Sequence, residues 1–187
     1  IALAKGVMGI DAGNQDDFWK ILPIEPMNID EDLVVADSTN NADFAKAEEK
    51  ATKAIQKHSM NIQGRERNAQ MDEAYLLLGK ARYYDKRFIP ALDAFNYILY
   101  KYPNSSRIDE AKIWREKTNM RLGNDALVIK NITKMLKESD PKKQVLADAN
   151  ALLAASFLNL EEKDSAIVKL KKAADFTKIN NEKARYR

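Results

Sequence analysis

Apolar residues recur at helical spacing through most of the chain after residue 41. The first such segment has apolar residues one to four positions apart, with polar and charged residues between them: Phe44, Ala47, Ala51, Ala54 and Ile55. This pattern predicts an amphipathic helix, which an asparagine at position 40 or 41 can cap. Because its apolar face is mostly alanine, the helix buries little surface by itself, and we expect it to pack on a larger neighbour.

The N-terminal part of the chain follows a different pattern. Residues 1–10 are an apolar piece that predicts a short helix, whereas residues 18–29 (FWKILPIEPMNI) contain two prolines and are expected to be extended. From Ile21 to Ala45 there is no lysine or arginine, while carboxylates accumulate: Glu25, Asp30, Glu31, Asp32, Asp37 and Asp43. This acidic connector is either a solvated linker or a strap for a basic partner or for the protein's own basic groove. We therefore expect two parts, residues 1–40 and residues 41–187.

Residues 72–105 carry the strongest motif in the chain. The segment DEAYLLLGKARYYDKRFIPALDAFNYILYKYPNS reproduces the spacing of the tetratricopeptide pattern at these positions: Tyr75, Leu78, Gly79, Ala91, Phe95 and Pro103. Gly79 and Ala91 are small where the two helices of the pair must approach closely, and Phe95 is expected to fill the gap to the next pair. Pro103 ends the second helix, and Pro90 is tolerated if it lies in the first turn of that helix.

Two further repeats follow the first one. The second, residues 109–142, is degenerate at Lys112, Arg115 and Glu116, but Leu122 and Gly123 lie where the turn between its helices is expected. The third, residues 147–180, carries the pattern at Leu153, Ala154, Phe157, Ala166, Leu170 and Ala173. The repeat starts at positions 72, 109 and 147 are almost evenly spaced, and a truncated fourth repeat is expected from about residue 181. The sequence predicts an all-α fold, a tetratricopeptide-repeat-like right-handed helical solenoid with an extended N-terminal connector.

Composition and missing motifs narrow the function. The formal net charge of +3 gives no strong field for nucleic acid or for an anionic membrane, and the lack of cysteine removes disulfides, thiol catalysis and cysteine-ligated metals. No nucleotide-binding or metalloprotease motif is present. The single histidine, His58, lies where the first predicted helix ends and is expected to interact with its final carbonyls. We predict a non-catalytic protein without cofactor, metal or nucleic-acid partner.

Protein binding is the function that these features favour. In stacked helical pairs the first helices line a concave groove, and the candidate groove residues are Lys80, Tyr83, Tyr84, Lys117, Met120, Arg121 and Asn159. A basic groove with aromatic residues suits an acidic or C-terminal peptide segment. The alternative is that the tyrosines are packing residues and the lysines only solvate the surface. Residues 62–68 (IQGRERN), an expected loop with Arg65 and Arg67, are a second candidate surface.

Three segments together are similar to one protein family: DDFWKILPIE at 16–25, AEEKATKAIQKHSM at 47–60 and AYLLLGKARYYDKRFIPALDAFNYIL at 74–99. They resemble the tetratricopeptide lipoproteins called PorW or SprE, of the type IX secretion and gliding-motility machinery of the Bacteroidota. The resemblance covers essentially the whole chain. It implies a scaffold that joins the outer-membrane translocon to periplasmic ring and motor components. It also implies a longer parent protein at the periplasmic face of the outer membrane, held there through a lipidated cysteine upstream of Ile1.

Two alternatives stay open. The segment Tyr102-Pro103-Asn104-Ser105 matches the Tyr-Pro-x-Ser pattern of outer-membrane lipoproteins of the barrel-assembly type. The repeats could also be the accessory domain of an enzyme whose catalytic part lies beyond Arg187. Because the chain begins at Ile1 without an initiator methionine and ends within the expected fourth repeat, we expect a longer protein, whose downstream sequence would separate these alternatives.

Overall fold

The structure is a computed structural model of the 187-residue chain, and it describes residues 1–13, 23–25, 27, 41–63 and 65–186. The helices in this part of the chain are α1 Ala2–Gly13, α2 Ala42–His58, α3 Met71–Tyr84, α4 Phe88–Lys101, α5 Ile108–Arg121, α6 Asp125–Glu138, α7 Lys143–Asn159, α8 Lys163–Phe176 and α9 Asn180–Arg185. A small hairpin pairs β1 Asn61–Ile62 antiparallel with β2 Arg65–Glu66. The all-α class expected from the sequence is confirmed. None of the described helices has the length and apolar character needed to cross a bilayer.

Three consecutive helix pairs, α3–α4, α5–α6 and α7–α8, share one turn. In each, the second residue after the first helix has a positive φ: Lys86 at 60°, Gly123 at 78° and Glu161 at 62°. The next backbone N–H donates to the carbonyl five residues earlier: Arg87 to Arg82 at 2.9 Å, Asn124 to Asn119 at 3.0 Å and Glu162 to Phe157 at 2.8 Å. This is the Schellman motif, in which a left-handed residue lets the chain satisfy the last carbonyls of a helix. Glycine, as at position 123, adopts this conformation most easily.

The second helices of these pairs are regularly spaced. They begin at Phe88, Asp125 and Lys163, which are almost evenly spaced along the chain, and they are equal in length. Pro90 lies in the first turn of α4, and Pro103 follows the end of that helix at Lys101. The third pair differs from its expected bounds, because α7 begins at Lys143 rather than near Ala147. The residue before α7, Lys142, makes no side-chain capping hydrogen bond.

The chain divides into two compact units, which are described separately. The described residues of unit 1 lie within Ile1–Gln15 and Pro26–Ala111, and those of unit 2 within Asp16–Glu25 and Lys112–Arg187.

Unit 1 packs its helices closely at two glycines. A Cβ built on Gly79 of α3 would lie 2.7 Å from Cζ of Phe95 on α4, and one built on Gly6 of α1 would lie 2.9 Å from Cζ of Phe44 on α2. Both rings are buried. Glycine is therefore required at these positions by close approach, and Phe95 fills space inside its own helix pair.

Two apolar clusters lie among the described residues of unit 2. The first cluster consists of Ile113, Val128, Ile132, Met135, Ala149, Leu152 and Leu153, with Met120 and Phe157 packed against it. The second cluster consists of Ala151, Ala173, Ala174 and Tyr186, with Ile24 and Leu170 packed against it. Glu182 of α9 accepts hydrogen bonds from Gln144 at 2.9 Å and from Thr177 at 2.6 Å, which holds α9 on this unit. Ala154 and Ala166, two small positions of the third repeat, are fully buried.

Two expectations about irregular segments are revised. Residues 62–68 were expected to be a loop, but they contain most of the hairpin, whose turn has Gln63 at a φ of 52°, as two-residue hairpin turns require. Most of the expected extended connector, including Phe18, Trp19 and the carboxylates from Asp30 to Asp37, lies outside the described residues. Within it, residues 23–25 are described, and the backbone bends at Ile24 and Glu25 instead of running straight.

Candidate binding surface

The candidate groove residues of unit 1 are engaged within that unit. Lys80 on α3 donates to the carboxylate of Glu110 on α5 at 2.6 Å, and both side chains are partly buried. The ring of Tyr84 stacks on Phe44 of α2, with the centroids 5.7 Å apart. At the expected groove positions of unit 1, Lys80 is therefore in an ion pair and the ring of Tyr84 is packed against another helix.

The expectation that Tyr83 lines an exposed groove is wrong. Tyr83 is fully buried, and its ring lies edge-on to Tyr84 and Phe88 with centroids 5.6 Å away in both cases. Successive helical residues point about 100° apart, so two neighbouring tyrosines have different surroundings. Tyr83 therefore serves packing, as the alternative interpretation of the tyrosines proposes.

A charged network connects α2 to the turn after α3. Arg82, which stands where the tetratricopeptide pattern expects tyrosine, donates from Nε to Glu48 Oε1 at 2.8 Å, and Arg87 donates to the other oxygen of this carboxylate. Arg87 also donates to Asp85 at 2.8 Å. Burial by itself raises the pKa of Glu48, but the hydrogen bonds from Arg82 and Arg87 outweigh it and hold the pKa below its ordinary value of 4.5.

Tyr75, the aromatic position of the first repeat, lies in a group of tyrosines. Its ring centroid is 4.3 Å from that of Tyr97 and 6.3 Å from that of Tyr102. Burial, together with a hydrogen bond to Tyr97, raises the pKa of Tyr75 to about 12. Tyr75 also packs against a buried cluster that contains Leu78 and Ala51. This arrangement is a packing contact between α2, α3 and α4.

In unit 2, Lys117 and Arg121 of α5 converge on the carboxylate of Glu25. Arg121 Nη2 donates to Oε2 at 2.6 Å, and Lys117 Nζ lies 3.7 Å from Oε1. The side chains of Arg121 and Glu25 are each only 15% exposed. Lys117 also lies over the ring of Trp114, 4.8 Å from its centroid. One interpretation of the acidic connector is a strap for the protein's own basic groove, and this contact agrees with that interpretation.

The neighbours of Glu25 are anchored in the same unit. Ile24 packs against the second apolar cluster of unit 2, and Arg185 Nη1 donates to the carbonyl of Pro23 at 3.4 Å. We call residues 23–25 the strap.

Two further candidate groove residues of unit 2 serve local structure. Met120 is half-buried and packs against the first apolar cluster. Asn159, at the end of α7, donates from Nδ2 to Asp125 Oδ1 at 3.1 Å, at the start of α6. The structure therefore brings Lys117 and Arg121 together at one site and gives Met120 and Asn159 other contacts.

Sequence reasoning missed a buried polar cluster in the second helix pair. Glu116 is only 1% exposed, and its carboxylate accepts hydrogen bonds from Arg115 at 2.7 Å, Asn119 at 3.0 Å and Asn131 at 3.1 Å. Glu116 corresponds to Gly79 of the first repeat, the position where the pattern places a small residue. The departure from the pattern at Arg115 and Glu116 is the signal that could have revealed this cluster.

The second candidate surface, at the hairpin, is organised by Glu66. Its carboxylate accepts hydrogen bonds from the Ser59 hydroxyl at 2.5 Å, the Met60 N–H at 2.7 Å and the Asn68 N–H at 2.9 Å, and these, the Ser59 bond foremost, lower the pKa of Glu66. Arg67 is exposed, and the side chain of Arg65 lies outside the described part.

His58, the single histidine of the sequence, lies at the end of α2. It is the last residue of α2, its side chain is exposed, and its carbonyl accepts a hydrogen bond from Asn68 at 3.0 Å. Among the described residues, no group of histidine and carboxylate side chains is arranged to hold a metal ion.

The fold and the site define an all-α protein of paired helices, in which a basic site on unit 2 is covered by the chain's own strap. No protein-family model matches the sequence. A search among curated proteins gives no match either. Function is therefore inferred from the motif spacing and from the contacts described above.

Proposed function

We propose that this chain is a non-catalytic protein-interaction scaffold built of tetratricopeptide-like helix pairs. In this proposal it serves type IX protein secretion and gliding motility, and it joins the outer-membrane translocon to periplasmic ring and motor components. The protein acts at the periplasmic face of the outer membrane, to which an upstream lipid anchor holds it.

The shared turn is the observation that best supports the repeat part of this proposal. Three helix pairs repeat the same left-handed residue and the same five-residue-back hydrogen bond at nearly constant intervals along the chain. The positions that the pattern assigns to small residues are filled by Gly79 in the first pair and Ala154 in the third, and both are buried. Tetratricopeptide proteins stack such pairs and bind partners on the surface of the first helices.

The secretion part of the proposal rests on the resemblance of three sequence segments to PorW and SprE. Lys80, Lys117 and Arg121 stand at the expected groove positions of α3 and α5, and each is held by a carboxylate of this chain. A partner with an acidic segment can use the same cations.

The test is affinity purification of the full-length protein from its own cell envelope, followed by mass spectrometry of the proteins that co-purify. The wild type is compared with a triple variant, Lys80→Glu, Lys117→Glu and Arg121→Glu. A matched control, Lys130→Glu, Lys134→Glu and Lys137→Glu, makes the same change of charge on exposed lysines of α6. Both variants must retain the helical circular-dichroism signal of the wild type.

We expect type IX secretion components with the wild type and the α6 control, and their loss with the groove variant. Recovery of barrel-assembly proteins instead would overturn the secretion assignment. An unchanged partner list with the groove variant would place binding elsewhere on the protein.

A further inference from the structure

The strap contacts unit 2 through two neighbouring side chains of different chemistry. Ile24 enters the apolar cluster, and Glu25 meets the two cations of α5. In a straight extended strand, successive side chains point to opposite faces. The bend at Ile24 and Glu25 allows both side chains to reach the same unit.

The cationic half of the site is built from one helix. Lys117 and Arg121 are four residues apart on α5, so they lie on one face, and the two cations reach different oxygens of a single carboxylate. Arg121 is mostly shielded from solvent, which strengthens its attraction for an anionic group relative to an exposed arginine. Trp114 lies under Lys117 and supports its position.

The apolar half is built mainly from small residues. Ala151 of α7 and Ala173 and Ala174 of α8 are buried, and Tyr186 after α9 closes the cluster. Three alanines leave room that a branched aliphatic side chain such as Ile24 fills. Burial, followed by the negative charge of Glu182, raises the pKa of Tyr186.

The described strap residues contact unit 2 through the side chains of Ile24 and Glu25 and through the carbonyl of Pro23, which accepts from Arg185 at 3.4 Å. Another segment that offers an aliphatic side chain followed by a carboxylate can make the same side-chain contacts.

We propose that Ile24 and Glu25 act as an internal ligand of a peptide-binding subsite on unit 2. The subsite accepts an aliphatic residue followed directly by a carboxylate residue, and a partner protein that carries this pair in an exposed segment displaces the strap. The inference rests on the proposed scaffold function, because it names the partner chemistry for the surface that the scaffold would use.

Competition between strap and partner sets the strength of binding. A segment of the same chain competes at an effective concentration that depends on the linker joining it to the subsite. The apparent affinity of a free peptide equals its intrinsic affinity multiplied by the fraction of molecules whose subsite is open. Release of the strap is therefore expected to raise peptide affinity without any new contact.

The test is fluorescence anisotropy with a labelled peptide of residues 21–26, Ile-Leu-Pro-Ile-Glu-Pro, added to the 187-residue chain. We compare the wild type, the strap-released variant Ile24→Ser with Glu25→Gln, and the same variant carrying Arg121→Glu in addition. The control peptide has serine and glutamine in place of its second isoleucine and its glutamate. Circular dichroism verifies that each variant is helical.

We expect the strap-released variant to bind the peptide at least about tenfold more tightly than the wild type. The addition of Arg121→Glu should abolish this gain, and the control peptide should not bind. Equal affinity in the wild type and in a helical strap-released variant would overturn the proposal and leave the strap with a structural role.

If the double substitution in the strap unfolds the chain, the peptide affinity of the single variant Glu25→Gln tests the proposal. It retains Ile24 in the apolar cluster and should show a smaller gain in peptide affinity, and no gain would overturn the proposal. Failure here is distinct from failure of the scaffold function, because the partner list from the envelope is measured independently of peptide binding.

Discussion

The helix pairs α3–α4 and α5–α6 have equal lengths and the same turn, yet their interiors differ. At the small position of the repeat, α3 has Gly79 against the ring of Phe95, whereas α5 has the buried carboxylate of Glu116 within a polar cluster. The same turn between helices is therefore compatible with an apolar interior and with a polar interior of the pair. Backbone geometry and side-chain packing are specified separately in these repeats.

The difference extends to the positions at which the sequence predicts a groove. Tyr84 in the first pair stacks on α2, an integral helix of unit 1, whereas Arg121, at the matching position of the second pair, binds Glu25 of the strap. One position is filled by regular helix packing and the other by a short bent segment. This contrast is why we assign the exchangeable subsite to unit 2.

The largest effect is expected for Glu116→Ala. This change removes the acceptor of the hydrogen bonds from Arg115, Asn119 and Asn131, and a buried group left without its partner is costly. We expect a loss of about 3 kcal/mol in the free energy of unfolding, measured by urea denaturation. Glu138→Ala, at an exposed position of α6, is the control and should have almost no effect. Equal stability of both variants would contradict the account of the polar interior.

The glycine contact of unit 1 is tested by one substitution at two sites. Gly79→Ala introduces a Cβ that overlaps the buried ring of Phe95, and we expect a loss of about 2 kcal/mol. Gly9→Ala adds the same methyl group on α1 where nothing lies within 4 Å, and better helix propensity should stabilise the protein by up to about 1 kcal/mol. Both are measured by urea denaturation. The same sign at both sites would show that close packing does not explain Gly79.

A smaller, pH-dependent effect is expected for Glu48→Gln. The folded-state pKa of Glu48 is lowered, so its carboxylate stabilises the fold above the unfolded-state value near 4.5, and this stabilisation is lost as the pH falls through the folded-state pKa. The variant should be less stable than the wild type by about 1 kcal/mol at pH 7, and the difference should shrink at pH 3. Thermal unfolding at both pH values measures it, with the exposed Asp93→Asn of α4 as control. A difference that is constant with pH would rule out the ion-pair explanation.

The sequence predicts the backbone of the repeats better than their side-chain contacts. Gly79, Pro90 and Pro103 are local signals for the first pair, and the near-constant interval between pairs follows from the apolar spacing. The start of α7 at Lys143 has no side-chain capping hydrogen bond.

Contacts between distant segments could not be predicted in this way. Arg121 and Glu25 are 96 residues apart, and Lys80 and Glu110 are 30 apart, so only the folded chain brings these charges together. The sequence suggested a strap as one of several possibilities, but it did not indicate which carboxylate would dock. Spacing alone also did not show that Tyr83 is fully buried whereas Tyr84 is only partly buried.

A double-mutant cycle between Glu25→Gln and Arg121→Gln measures whether α5 holds Glu25 of the strap. The free energy of unfolding of the wild type, both single variants and the double variant is measured by urea denaturation. We predict a coupling energy of about 1 kcal/mol, compared with about 0.3 kcal/mol for the exposed pair Lys134 and Glu138. Additive effects of the two changes would contradict the account, because they would mean that the strap does not dock on these cations.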